Sequence, residues 1–84
     1  MEQTIVIKPV GKIYELQYIF EDHDGAHRTN ELELDLENTT LDKAIEEELQ
    51  GYIVIGALLY ERQVYEDENG NKYFSETEMV REII

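Results

Sequence analysis

The 84 residues contain no cysteine and no tryptophan, one proline, one serine and only seven Lys and Arg. The missing cysteine excludes disulfides, thiolate metal sites and a cysteine nucleophile, and it fits a reducing compartment. A single serine, Ser75, leaves nucleophilic serine chemistry poorly supplied. A Ser-His-acid triad needs nucleophile, base and orienter to converge in a pocket. The two histidines, His23 and His27, instead flank one turn signal. The few bases cannot form a stripe interleaved with aromatics, so no signature of a nucleic-acid reader applies. They are also too few to converge on a phosphorylated small molecule. No GxGxxG or P-loop is present. The longest apolar run, Tyr52 to Tyr60, is too short to cross a bilayer. No basic segment leads into an apolar stretch at the N-terminus, so the expected location is the cytoplasm, that of a host cell if the chain is phage-encoded.

What is abundant is acid. Twenty Asp and Glu give a net charge of −13. Such a charge repels nucleic acid and anionic membrane, and it favours a basic partner. The apolar fraction of 42% is enough for a folded chain, and 84 residues are expected to make a single small acidic domain, 1–84.

Hydrophobic periodicity predicts strands over 3–8 and 12–22, broken at Pro9 to Gly11. Asp24-Gly25 predicts a hairpin turn. The stretch NELELDLE, residues 30–37, then alternates leucine and acid and predicts a third strand. Leu41, Ala44, Ile45 and Leu49 recur at helical spacing. Thr39 with Asp42 has the pattern of a capping box, and Gly51 suits the residue after the C-cap, so a helix is expected over about 40–50. A long strand over 52–67, or two strands kinked at Gly56, follows, and Asn69-Gly70 predicts a second hairpin. Residues 75–84 fit a short helix begun by Ser75-x-x-Glu78, with a final strand as the alternative. The fold class is α+β: a mostly antiparallel sheet of about five strands with one central helix, in the order β-β-β-α-β-β-(α). Residues 5–25 also echo 53–70, pairing Tyr14 with Tyr60, Glu15 with Glu61, Gln17 with Gln63, Asp22 with Asp67 and Gly25 with Gly70.

Candidate chemistry is scarce. EDHDGAH mixes acids with His23 and His27 at a spacing seen in metal sites, yet a turn aims successive side chains apart. DHDG and DENGN lack the full calcium-loop pattern. No carboxyl stands apart from its neighbours as general acid–base work requires. Neither catalysis, a metal nor another cofactor is expected.

The row Glu31, Glu33, Asp35 and Glu37 is the most suggestive feature. Residues two apart on a strand lie about 6.7 Å apart, and backbone phosphates follow one another at roughly 7 Å along their path. The row therefore matches nucleic-acid phosphates in sign and spacing. Glu46 and Glu47 sit late in the expected helix, where the dipole prefers bases. Asp67 and Glu68 mark the second turn. These eight residues are the candidate partner-binding set. The bland alternative is a solvated strand face, whose acids keep edges from aggregating. Six tyrosines add interface potential.

The expectation is a non-enzymatic inhibitor of a basic nucleic-acid-binding protein or nuclease, with no direct nucleic-acid or membrane binding. Anti-CRISPR and anti-restriction proteins of phages, inhibitors of DNA-repair enzymes and nuclease immunity proteins share this size and acidity. That is a likeness of class, carried by no particular stretch of residues. The alternative is a homodimeric regulatory or structural module whose acidity serves solubility, joined through an apolar strand such as Tyr52 to Tyr60.

Overall fold

The computed structural model describes residues 4–84. Five strands and one helix follow in the order β1 (Ile7–Glu21), β2 (His27–Glu33), α1 (Leu41–Leu49), β3 (Ile53–Asp67), β4 (Lys72–Phe74) and β5 (Glu78–Glu82). All pairings are antiparallel. The sheet runs β2-β1-β3-β4, and β5 shares the far edge of β3 with β4. The molecule is thus a sheet-dominated α+β protein.

Two expected elements change. The break at Pro9 to Gly11 is a bulge inside one long strand: Pro9 pairs with Tyr65 and Gly11 with Val64, leaving Val10 unmatched. A bulge admits one extra residue without ending the ladder, and Pro9 lacks only one donor. The expected start of the first strand, Gln3, lies outside the described residues. The expected C-terminal helix is instead β5. Its register partners are Leu58 to Glu61, whose outer backbone groups would otherwise be unpaired. Ser75 is no helix cap. Its hydroxyl accepts from Gln63 N at 2.8 Å and bridges the gap between β4 and β5. The helix forms where expected, but Thr40 rather than Thr39 caps it, accepting from Lys43 N.

β1 and β3 are each fifteen residues long and pair along nearly their whole length. Each carries one bulge, at Val10 and at Ile55, followed by Gly11 and Gly56. Each ends in an Asp-x-x-Gly turn, at Asp22 and Asp67, with Gly25 and Gly70 in the left-handed region. A constant offset of 45 residues relates all four pairs. The two hairpins therefore obey an approximate two-fold perpendicular to the sheet. The echo seen in the sequence is one residue out of register over the strands. Tyr14, opposite Glu61, shares a face with α1, whereas Tyr60, opposite Glu15, lies on the other face.

α1 breaks this symmetry. Leu16 and Tyr18 of β1, Leu34 after β2, Ala44 and Ile45 of α1, and Ala57 and Leu59 of β3 form the buried cluster. Leu32 and Leu36 pack against it, so the leucine side of NELELDLE faces the core as its alternation implies. Tyr18 pins helix to sheet. Its hydroxyl donates to Glu48 Oε1 and accepts from Asn30 Nδ2, both at 2.9 Å. Burial foremost, with Glu48 adding to it, pushes this phenol up to about 12. Across the groove, Arg81 of β5 reaches Asp42 of α1 at 3.1 Å.

A helix of nine residues is only about 14 Å long, while the molecule measures 61 × 28 × 18 Å. The radius of gyration, 16.7 Å, exceeds the roughly 12 Å of a rounded chain of this length. One half of the blade, carrying α1, is two layers thick. The other half, built from β1 before Tyr14, β3 after Glu61 and β4, is left as a bare sheet. There β1 also lacks an outer neighbour, because β2 pairs only with Glu15 to Glu21.

Candidate protein-binding surface

Cross-strand partners share a face, so the register assigns the acids. Leu32 opposite Leu16 lies on the α1 side. Glu31, opposite Gln17, and Glu33, opposite Glu15, therefore lie on the open side. The next strands extend both ranks: Gln17 faces Leu58, Leu58 faces Glu82, and Glu15 faces Tyr60. The open face of the α1 half thus presents Glu31 and Glu33 on β2, Glu15 on β1 and Glu82 on β5, with Leu58 and Tyr60 of β3 between. Like charges directly opposite, as at Glu15 and Glu33, cost stability in a sheet. Among the described residues one base answers them. Arg62 Nη2 lies 3.4 Å from Glu15 Oε1, while the same guanidinium donates to Thr77 and covers the Phe74 ring at 5.9 Å. Among the described residues neither Glu31 nor Glu33 has an ion-pair partner.

The expected row of four is shortened. β2 ends at Glu33, and Asp35 and Glu37 lie in the loop leading to α1. There Asp35 Oδ1 accepts from Glu37 N, an Asx turn that bends the chain away. Glu46 and Glu47 are exposed on α1, on the opposite side of the sheet from Glu31 and Glu33. Asp67 and Glu68 are farther still, since antiparallel β1 and β3 send their turns to opposite ends. The Asp67 carboxylate is occupied within its own turn by the amides of Asn69 and Asn71, the Asn71 side chain and the Tyr73 hydroxyl. Burial pulls its pKa upward, but the four hydrogen bonds outweigh it and hold the group below the usual range. The eight candidate residues are therefore not one patch.

What the structure does assemble is a division of charge along the blade. Residues 4–13 and 62–77 carry four bases, Lys8, Lys12, Arg62 and Lys72, against four acids, Glu66, Asp67, Glu68 and Glu76. The remaining described residues carry fifteen acids and three bases. The acidity of the chain is concentrated on the half that carries α1, on both faces and around the β2 edge. Glu15 and Glu82 were not evident as candidates. The signal for Glu15 was present as the alternation Ile13, Glu15, Gln17, Ile19, but apolar residues on both faces of β1 obscure it.

Among the described residues Ser75, between β4 and β5, and the two histidines at the first turn are not brought together. His23 is exposed, with only Asp24 at 3.6 Å, and among the described residues no three His, Asp or Glu come together as a metal would need. No described helix is long and apolar enough to cross a membrane. No protein-family model, curated protein or solved structure matches this chain, so the reading rests on its residues alone.

Proposed function

We propose that this protein is a non-enzymatic inhibitor that occupies the basic groove of a nucleic-acid-handling protein, its carboxylates standing where phosphates would bind. The observation that carries the reading is the excess of fifteen acids over three bases on one half of the blade. That half includes two ranks of carboxylates on a sheet face that no other element covers. A field of one sign steers an oppositely charged partner and speeds encounter. Concentrating the charge on one end also costs stability by self-repulsion, a cost that solubility alone does not require.

The test is capture from a host lysate with wild-type protein and with the triple variant Glu15→Gln, Glu31→Gln, Glu33→Gln. The expected result is retention of basic proteins by the wild type, released by salt and by added DNA or RNA. The variant should keep its fold by circular dichroism and lose this retention, mainly through slower association. If the variant retains the same proteins and nucleic acid does not compete, the open face is only a solvated one.

A further inference from the structure

On the α1 side of the sheet, α1 and the end of β5 do not close against each other. Between them runs an open trough of about 660 Å³, lined by α1 from Asp42 to Gln50 and by Ile83. Its floor is aliphatic. Ile45 is buried at the bottom, and Leu49 and Ile83 beside it are only half-buried. Its rim is acidic. Glu46 and Glu47 are exposed on the α1 wall and have no ion-pair partner among the described residues. Lys43, a turn earlier on the same wall, pairs with neither. Arg81 is already held by Asp42 at 3.1 Å. The last turn of α1 carries no base, so the helix dipole adds to the negative field.

We propose that this trough is a binding site for an extended segment of a partner protein in which aliphatic side chains adjoin Lys or Arg. Charge and shape select that occupant. The rim and the dipole repel phosphates, acidic segments and a second copy of this chain at −13. A segment that is basic alone would leave the aliphatic floor in water, and one that is apolar alone would leave the rim unanswered. Leu or Ile side chains cover the floor, while the long stems of Lys and Arg pack along the walls and bring their charged heads to Glu46 and Glu47. The length suits an extended chain. The nine residues of α1 span about 14 Å, the reach of about four extended residues. Glu46 and Glu47 lie on the opposite side of the sheet from Glu31 and Glu33, so the trough is a second site, independent of the open face.

Fluorescence anisotropy with a labelled Leu-Lys-Leu-Lys-Leu-Lys amide, at physiological salt, tests the proposal. The peptide should bind the wild type and shift the NMR methyl signals of Ile45, Leu49 and Ile83. Replacing its leucines with serine should weaken binding roughly tenfold or more. Glu46→Gln together with Glu47→Gln, two exposed changes whose fold is checked by circular dichroism, should weaken it roughly three- to tenfold. The open-face variant Glu15→Gln, Glu31→Gln, Glu33→Gln removes more charge, yet should leave the affinity within about twofold, because salt screens charges on the far side of the sheet. Absence of binding overturns the proposal. So do equal binding of the serine peptide, methyl shifts that fall outside the trough, or a greater loss in the open-face variant than in the Glu46 and Glu47 variant. Lysate capture by the open face is read with a different variant, so failure here leaves the proposed inhibition standing.

Discussion

Asp22 and Asp67 do the same work 45 residues apart. Asp22 Oδ1 accepts from the amides of Asp24 and Ala26, at 3.0 and 2.9 Å. Asp67 Oδ1 accepts from those of Asn69 and Asn71, both at 2.9 Å. The second oxygen of each takes a donor six residues on, Arg28 at 2.6 Å and the Tyr73 hydroxyl at 3.0 Å. The two turns are thus built to one plan, closed on Arg28 in one case and on Tyr73 in the other.

Both carboxyls are held below the usual aspartate value of 3.8. For Asp22 the hydrogen bond from Arg28 is the main cause, and for Asp67 the turn hydrogen bonds overcome burial. A depressed carboxyl stabilises the fold above its unfolded value and loses that contribution as pH falls through its folded value. Thermal melts below about pH 3.8 should therefore show a loss of stability that Asp22→Asn and Asp67→Asn each reduce. Near neutrality Asp22→Ala should lower the melting temperature, because two turn amides lose their acceptor.

The phenol of Tyr18 works in the opposite direction. Its pKa stands at about 12, against 10.0 for a free tyrosine. Below pH 10 its contribution is complete, and it is lost as pH rises toward 12, where the unfolded chain ionises first. Alkaline titration followed by tyrosinate absorbance and circular dichroism should show one late-ionising tyrosine whose ionisation coincides with unfolding. Tyr18→Phe should remove that coincidence.

The run Tyr52 to Tyr60 contains positions of contrasting sensitivity. Leu59 is 0% exposed and Ile55, the bulge residue, 46%. Leu59→Asp buries an unpaired charge and should unfold the protein, a cost of at least about 4 kcal/mol. Ile55→Asp should leave it folded, with a shift of about 0.5 kcal/mol or less in chemical denaturation.

At the start of α1 two adjacent threonines should behave differently. Thr40→Ala removes the cap and should cost about 1 kcal/mol. The Thr39 hydroxyl is buried without a hydrogen-bond partner. Thr39→Val should therefore be neutral or stabilising in the same assay.

The like-charge pair Glu15 and Glu33 makes repulsion measurable. Raising NaCl from low to moderate concentration should raise the melting temperature by screening the acidic half. Glu33→Gln should raise stability by roughly 0.2–1 kcal/mol and weaken the salt response. A flat response would show that the acids are too well spread to oppose folding.

What could be foreseen from the residues follows local chemistry. Asp24-Gly25 and Asn69-Gly70 place both turns because only a glycine easily takes the positive φ found at Gly25 and Gly70. The leucines of 30–36 reveal their inward face because acid alternates with them. The C-terminal strand stands second to a helix in the sequence because Met79, Val80, Ile83 and Ile84 suit a helix equally well by spacing. What decides is the unpaired edge of β3, a requirement written elsewhere in the chain. Val10 and Ile55 are similarly opaque, since a bulge is defined by the partner strand it fails to match. The acidic face was half legible: Glu31 and Glu33 stand out, while Glu15 joins them only through a register set by two strands together.

The outer edge of β1 before Tyr14 carries unpaired backbone groups, the usual seed of fibril growth. Here Pro9 withholds an amide, Val10 throws the ladder out of step, and Lys8 and Lys12 flank both. A foreign strand laid along this edge meets a missing donor, a kink and two charges within five residues. The protein can thus keep a naked sheet in water without templating its own polymerisation. What protects this edge is backbone chemistry rather than a covering element.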